Sequence, residues 1–182
     1  MKNKNSKPLI KRIFVNSHVK AVKREKGEEG MRKLEELYGR SLNFTNMEDV
    51  PVREEVRIIE YALDILNPGI PKERRAFEAG RLHFRNFAGT PLGRMMFSAL
   101  PRDFKMMIMR AKYIARHVFK NVIFTPVDLG PKSAKVIMEN NDYPLEHFQG
   151  LFQAWMEYFG LEGETRAEAV SSNRYEYTMI WK

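Results

Sequence analysis

The sequence of 182 residues contains no cysteine. The chain therefore cannot form disulfides, use a thiolate nucleophile, or bind iron–sulfur clusters and cysteine-based zinc through its own side chains. It also lacks any apolar run approaching the roughly 18 residues that a membrane span needs. Its lysine-rich N-terminus is not followed by the apolar segment of a signal peptide. Together these absences favour a cytoplasmic protein.

The residue patterns that mark catalytic and metal sites are also missing. No G-x-S-x-G elbow occurs, and no histidine belongs to a helical metalloprotease motif. The adjacent Glu54 and Glu55 are interpreted as part of a solvated helix face, since an acid–base pair needs burial to separate its pKa values. We therefore predict a non-enzymatic protein without catalytic residues, metal site or cofactor. The histidines, which lie far apart in the sequence, are His18, His83, His117 and His147.

Positive charge is concentrated near the N-terminus. Residues 1–26 hold nine lysines or arginines and one glutamate, a net charge of +8, whereas the remaining 156 residues are neutral. We therefore expect a basic arm over residues 1–26, attached to a single domain over residues 27–182. Such arms commonly bind nucleic acid or anionic surfaces, but they also serve as solvated tails. The residues assigned to a binding role in this arm are Lys11, Arg12, Lys20, Lys23, Arg24 and Lys26.

Apolar residues spaced by three and four predict helices through the first two thirds of the chain. Gly27 and Gly39 are expected to end the first two helices, and Asn67-Pro68-Gly69 the third. Gly80 lies inside the fourth helix, where glycine costs about 1 kcal/mol relative to alanine, so we expect another element to approach it closely. The predicted helices cover residues 18–26, 28–38, 52–66, 71–88, 91–99 and 102–119.

The pattern changes from helical to alternating after residue 121 and predicts strands. These strands cover residues 122–127, 133–140, 164–171 and 174–182, and an aromatic-rich helix from Pro144 to Gly160 separates the two pairs. Two hairpins joined by a helix form an antiparallel sheet. The predicted fold class is therefore α+β, with an N-terminal helical layer packed on a C-terminal four-stranded antiparallel sheet.

The stretch from Gly80 to Arg94 resembles a phosphate-binding loop in composition, but we interpret it as a joint between two helices. Gly89 is expected to form a left-handed turn, Thr90 to cap the next helix, and Pro91 to occupy its first turn. A Walker loop would instead follow a strand and end in Lys-Ser or Lys-Thr. Structural roles therefore account for these residues.

Methionine and phenylalanine are abundant in the helices between residues 71 and 119. Such faces can line adaptable surfaces for ligands or partners, although core filling is their commoner use. An apolar ligand is predicted to contact Phe84, Phe87, Met95, Met96 and Met107.

Five short motifs carry a family resemblance: Pro51-Val52, Asn67-Pro68-Gly69, Ala79-Gly80-Arg81, Thr90-Pro91-Leu92-Gly93-Arg94 and the strand Tyr175–Trp181. They resemble a family of bacterial proteins of unknown function, found notably in predatory and gliding bacteria. More distantly, the chain is similar to four-vinyl-reductase domains, haem-NO-binding-associated domains and TRAPP vesicle-tethering subunits. The resemblance implies a compact α+β module whose relatives bind small hydrophobic ligands, dimerise or act as regulatory adaptors. It implies no metal site, because four-vinyl-reductase-like members often use a cysteine cluster that this chain lacks.

These observations predict a regulatory, signalling or adaptor module that binds a small hydrophobic ligand or a protein partner, including a second copy in a homodimer. One alternative is binding to nucleic acid or an anionic membrane surface through the basic arm. Another is anion binding by Arg81 and Arg94, with His83 added if the chain were an enzyme for an anionic substrate.

Overall fold

The computed structural model of the protein describes residues 6–42, 48–99 and 103–182. The helices are α1 (Arg12–Tyr38), α2 (Val52–Leu66), α3 (Lys72–Ala88), α4 (Pro91–Ala99), α5 (Phe104–Met109), α6 (Ala111–Val118) and α7 (Leu145–Tyr158). The strands are β1 (Leu9–Lys11), β2 (Asp49–Pro51), β3 (Phe119–Lys120), β4 (Ile123–Gly130), β5 (Ser133–Glu139), β6 (Gly163–Ser171) and β7 (Arg174–Trp181). None of the helices in these ranges is long and apolar enough to cross a membrane.

Four strands form the main sheet in the order β4-β5-β7-β6, with every neighbouring pair antiparallel. The inner face follows from strict alternation, since Ala134, Val136 and Met138 on β5 are fully buried and the residues between them are not. Opposite them on β7, Tyr177 pairs with Val136 and is also fully buried. The predicted α+β fold and its four-stranded antiparallel sheet are confirmed.

Helix α7 lies across the inner face of this sheet, as its aromatic stripe predicts. The rings of Phe148 and Phe152 pack on Tyr177, with centroids 6.1 and 5.5 Å apart. Phe152 also stacks on Trp155 within the helix. The other side of α7 contacts α3, so α7 forms a middle layer between the sheet and the N-terminal helices.

A second, smaller sheet was not predicted. It has the order β2-β1-β3, and Ile10 of β1 pairs with Val50 on one side and Phe119 on the other. Strands of two or three residues carry too few alternating positions to be distinguished from loops by sequence period. This sheet ties the N-terminal segment to residues that are distant in the sequence.

The expected basic arm is not separate from the rest of the fold. Residues 9–11 form β1, and residues 12–26 belong to α1, in which Val15 and Val22 are fully buried. The charge pattern gave a misleading boundary because basic residues occupy the outer face of a helix whose inner face belongs to the core. Gly27, with φ 61°, breaks α1 into two segments, and Gly39 ends it in a left-handed conformation, as predicted.

The helices between residues 89 and 118 differ from expectation in detail. Gly89 has φ −72° and is not left-handed, but Thr90 accepts a hydrogen bond from the backbone N–H of Gly93, and α4 starts at Pro91 as predicted. The single helix predicted over residues 102–119 is instead two, α5 and α6, separated at Arg110. The predicted start of that helix at Arg102 lies outside the described residues.

Helices α3 and α7 approach so closely that their backbones touch. A Cβ atom placed on Gly80 of α3 would lie 1.7 Å from the carbonyl oxygen of His147, and one placed on Gly150 of α7 would lie 1.9 Å from that of Phe77. The expectation that another element approaches Gly80 is confirmed. Both contacts involve backbone atoms, so no side-chain rearrangement relieves them.

We predict that Gly80→Ala and Gly150→Ala each lower the free energy of unfolding by about 2 to 3 kcal/mol, the cost of forcing a packed core apart. In a helix without such a contact the same change stabilises by up to about 1 kcal/mol, so the sign is diagnostic. The matched control is Gly89→Ala, where the new Cβ meets its nearest atom at 3.3 Å. Urea unfolding of the three variants measures these differences, and neutral effects at Gly80 and Gly150 would contradict the close packing.

Candidate functional site

A cluster of buried polar side chains lies where α1, α2, α3 and α7 meet. His18 comes from α1, Glu55 from α2, His83 from α3 and His147 from α7. None of the four is more than 4% exposed, and His18 and Glu55 are fully buried. Burying polar groups costs free energy unless they form hydrogen bonds. We therefore expect these four side chains to bond to one another.

The four side chains form a connected network. Oε1 of Glu55 lies 2.8 Å from Nε2 of His18 and 3.4 Å from Nδ1 of His83. The same Nδ1 of His83 lies 3.1 Å from Nε2 of His147. Nδ1 of His18, on the far side of its ring, lies 3.3 Å from Nδ2 of Asn86. The ligand atoms of His18, Glu55 and His83 therefore lie within 4.8 Å of one another, and His147 continues the network from His83.

Burial controls the protonation of these groups. It lowers the pKa of His18 to about 3 and is the largest cause that lowers the pKa of His83 to about 4, where the Glu55 charge opposes it. It also holds the pKa of His147 well below its usual value. Burial raises the pKa of Glu55, while His83 and Tyr143 act in the opposite direction. The three imidazoles are therefore neutral near pH 7 and keep lone pairs available to a ligand.

Two polar atoms of the cluster lack an ordinary hydrogen bond. Oε2 of Glu55 and the hydroxyl of Tyr143 have no partner within standard limits in the described part of the chain. Tyr143 precedes α7, is 1% exposed and packs its ring on His147 at a centroid distance of 4.6 Å. Burial and the nearby Glu55 carboxylate raise the pKa of its hydroxyl well above the usual value. The two groups still interact with each other, since their contact lowers the pKa of Glu55 and raises that of Tyr143.

An apolar cavity of about 100 Å³ adjoins the cluster. His83 belongs to both, and the remaining lining is almost entirely apolar. The walls come from helices α1, α3, α4, α6 and α7 and from strands β3 and β4. The lining residues are Phe14, His83, Phe84, Phe87, Met96, Phe97, Ala111, Ile114, Ala115, Val118, Phe119, Phe124, Phe148, Leu151, Phe152 and Trp155.

Three of the five residues predicted to contact an apolar ligand line this cavity, namely Phe84, Phe87 and Met96. Met107 is fully buried but does not line the cavity, and Met95 is 61% exposed on α4. Phase along the helix explains the difference, because consecutive residues such as Met95 and Met96 point in directions about 100° apart.

The predicted anion-binding arginines are engaged within the protein and are not brought together at one site. Arg81 donates two hydrogen bonds to the carboxylate of Glu157, at 2.7 and 2.8 Å, and so links α3 to α7. Arg94 donates to the carbonyl oxygen of Gly89 at 2.6 Å, at the end of α3. These contacts give both arginines a structural role.

The predicted basic residues fall into two groups. Arg12 is 5% exposed and pairs with Glu48 at 3.1 Å, so it belongs to the interior. Lys23 and Arg24 are exposed but lie 2.9 Å from Glu28 and Glu25 respectively, which reduces the local positive charge. The exposed residues that continue this surface are Lys11, Lys20 and Lys26.

Sequence reasoning missed the polar cluster, although one signal was present. Glu55 lies three residues after Val52 and four before Ile59, on the apolar stripe that predicted α2. A charged residue in that phase faces the core, so the interpretation of Glu55 as solvated was wrong: its side chain is fully buried. Glu54, one residue earlier, retains exposure and bonds Tyr38 and Arg40. His117, by contrast, is exposed and packs on Tyr113.

Comparison with known proteins gives a family match and a set of similar folds. The sequence matches the family model described as "Protein of unknown function (DUF2378)" over residues 9–182. No curated protein matches it. The chain therefore belongs to this family, in agreement with the predicted resemblance to a family of unknown function. The likenesses to four-vinyl-reductase domains and TRAPP subunits stay predictions.

The similar solved structures are H-NOX domains. One, an oxygen-binding H-NOX domain related to soluble guanylate cyclases, is 13% identical, with 94% of this chain and 95% of that chain covered and a TM-score of 0.70. A second, the Fe(II) unliganded H-NOX protein from K. algicida, is 13% identical, with 94% and 96% covered and a TM-score of 0.64. A third structure is described as "Modulating Heme Redox Potential Through Protein-Induced Porphyrin Distortion". It is 14% identical, with 94% of this chain and 95% of that chain covered and a TM-score of 0.71. At this identity the likeness establishes the fold.

The described residues do not fit a haem group. A porphyrin is far larger than a cavity of about 100 Å³, and the rings of Phe84, Phe97 and Trp155 pack together across this space at centroid distances of 5.6 to 6.3 Å. The single histidine on the described cavity wall is His83, and its Nδ1 already contacts Glu55 and His147. The almost entirely apolar lining offers nothing to the two propionates.

We predict that Glu55→Ala lowers the free energy of unfolding by about 2 to 4 kcal/mol, because it leaves a cavity and deprives His18 of its partner. The adjacent Glu54→Ala serves as the control. Its contacts lie near the surface, so we expect a loss of at most about 1 kcal/mol. Thermal or urea unfolding of both variants checks this, and equal effects would show that the two carboxylates are equally solvated.

Proposed function

Since this chain belongs to the DUF2378 family and shares the fold of H-NOX domains, we propose that it is a regulatory module that binds a small apolar molecule in the cavity between α3, α6 and α7. The ligand is a molecule of a few non-hydrogen atoms, in the size range of a dissolved gas or a small hydrocarbon. The cavity itself is the observation that carries this proposal.

Two properties of the cavity favour an apolar ligand. Its described lining is almost entirely apolar, with side-chain nitrogen only on His83 and Trp155, and water needs two to four polar partners to occupy such a space. Apolar cavities of comparable size, about 150 Å³, stay dry and bind benzene or xenon. A ligand that fills this space would gain packing contacts that the lining side chains now lack.

The position of the cavity suits a regulatory role. Its walls come from both layers of the fold, with Ala115 on α6, Phe84 on α3 and Phe124 on β4. A ligand there touches elements that belong to the helical layer and to the sheet at once. It would therefore stabilise one relative arrangement of the two layers over others, which is how ligand binding is converted into a signal. A non-enzymatic role is part of this proposal, because His83 is the single titratable side chain on the described lining of the cavity.

Filling the cavity tests the proposal. Ala115→Leu adds three carbon atoms from the α6 wall, and we expect it to reduce binding of xenon and benzene at least tenfold while leaving the melting temperature nearly unchanged. The matched control, Ala169→Leu, makes the same change at an exposed position on β6 and should bind like the unmodified protein. Binding is followed by xenon NMR and by benzene-induced amide shifts. If Ala115→Leu binds both probes as tightly as the control does, the cavity is not the ligand site.

Haem provides a second test. When hemin is added to the purified protein, we expect no shift of its Soret band and no change in melting temperature, since the described lining excludes a porphyrin. A stoichiometric shift that Ala115→Leu abolishes would instead show that the cavity opens to admit haem, and the small-molecule proposal would fail.

A further inference from the structure

The polar cluster beside the cavity contains the ligand set of a mononuclear metal site. His18, Glu55 and His83 each offer one ligand atom, all within 4.8 Å of one another. Imidazole nitrogen with carboxylate oxygen is the usual combination at zinc and non-haem iron sites. We propose that these three residues bind one divalent transition-metal ion.

The spacing of the donor atoms matches such an ion. Metal–nitrogen and metal–oxygen bonds of about 2.0 to 2.1 Å place neighbouring ligand atoms of a tetrahedral site about 3.3 Å apart. The observed separations are 2.8 Å between His18 and Glu55, and 3.4 Å between His83 and Glu55. The ligand atoms of His18 and His83 lie within 4.8 Å of each other. An ion bound to Glu55 would draw these two rings towards it by side-chain movement.

The unsatisfied atoms of the cluster provide an independent observation. Oε2 of Glu55, on a fully buried side chain, makes no ordinary hydrogen bond, although burial without a partner is costly. The nearby hydroxyl of Tyr143 also makes no ordinary hydrogen bond. A bound cation would compensate the buried carboxylate, and the tyrosine would be available to the oxygen that the metal does not use.

Asn86, which contacts the other ring nitrogen of His18, fits the same interpretation. A metal ion at Nε2 requires the proton of this ring to lie on Nδ1, which would then donate to Asn86. The amide of Asn86 lies 3.3 Å from that nitrogen, and turning it by 180° presents its oxygen as the acceptor. Asn86 is thus a positioning residue that can hold the ring in the metal-binding tautomer.

The donor set selects the class of ion. Mg²⁺ and Ca²⁺ prefer all-oxygen ligands, so two imidazoles and a single carboxylate disfavour both. Zn²⁺, Fe²⁺ and Co²⁺ accept mixed nitrogen and oxygen ligands. Because His83 also lines the apolar cavity, an ion bound to it would lie beside the space where the proposed ligand enters. The metal site does not depend on that ligand, and either can be present without the other.

The test uses the full chain, stripped of metal by a chelator, with Co²⁺ and Zn²⁺ as probes. Calorimetry and visible Co²⁺ absorption should show one ion per chain, and Zn²⁺ should displace Co²⁺ and raise the melting temperature. His18→Gln and Glu55→Gln, which keep hydrogen-bonding groups in place, should weaken binding about 100-fold or more. The control is His117→Gln, an exposed histidine outside the cluster, and it should bind as the unmodified protein does.

A second measurement covers variants that fail to fold. X-ray absorption of the Co²⁺ complex of the unmodified protein should show scattering from two imidazoles. The proposal is overturned if the unmodified protein binds no ion at stoichiometric concentration. It is equally overturned if the ion is surrounded by oxygen alone, if His117→Gln abolishes binding, or if folded Glu55→Gln binds with unchanged affinity. Mg²⁺ in place of Co²⁺ should leave the melting temperature unchanged.

Discussion

The backbone contact between α3 and α7 is the constraint on which the rest of the molecule depends. Two glycines, Gly80 and Gly150, remove the side chains that would hold these helices apart. One turn from each glycine, His83 and His147 then meet at 3.1 Å. The same crossing sets the two main walls of the cavity, because Phe84 on α3 follows His83 directly and lies 6.2 Å from Trp155 on α7, centroid to centroid. Fold, polar cluster and cavity therefore share one geometric origin.

The sequence predicts the fold where the signal is local. Helix α2 and the four main strands follow from residue spacing, and the close approach at Gly80 follows from the cost of glycine inside a helix. The same reasoning placed a boundary after residue 26, because charge along the chain does not show that α1 has a buried face containing Val15 and His18. It also missed the three-stranded sheet, whose strands pair residues that are distant in the sequence, such as Ile10 with Val50 and with Phe119.

The candidate site was harder to predict because four separate elements build it. His18, His83 and His147 lie too far apart in the sequence to suggest a common site, and only the packing of α1, α3 and α7 unites them. Glu55 carried a usable signal in its phase on α2. Of the predicted ligand contacts, Phe84, Phe87 and Met96 lie on the cavity wall because they share the inner phase of their helices, whereas Met95 lies outside that phase. The likeness to H-NOX domains therefore extends to the fold, whereas the cluster and the cavity are described by the residues of this chain.

Histidine side-chain ¹⁵N NMR tests the central claim most directly, since the α3–α7 contact should fix the imidazoles. In the chelator-treated protein at pH 7, the account predicts three neutral rings, each in one tautomer, with a nuclear Overhauser effect between His83 and His147. The exposed His117 should show the averaged signals of a ring in water. If all four histidines give the same averaged signals, the helices do not cross as described, and the account of both cluster and cavity is contradicted.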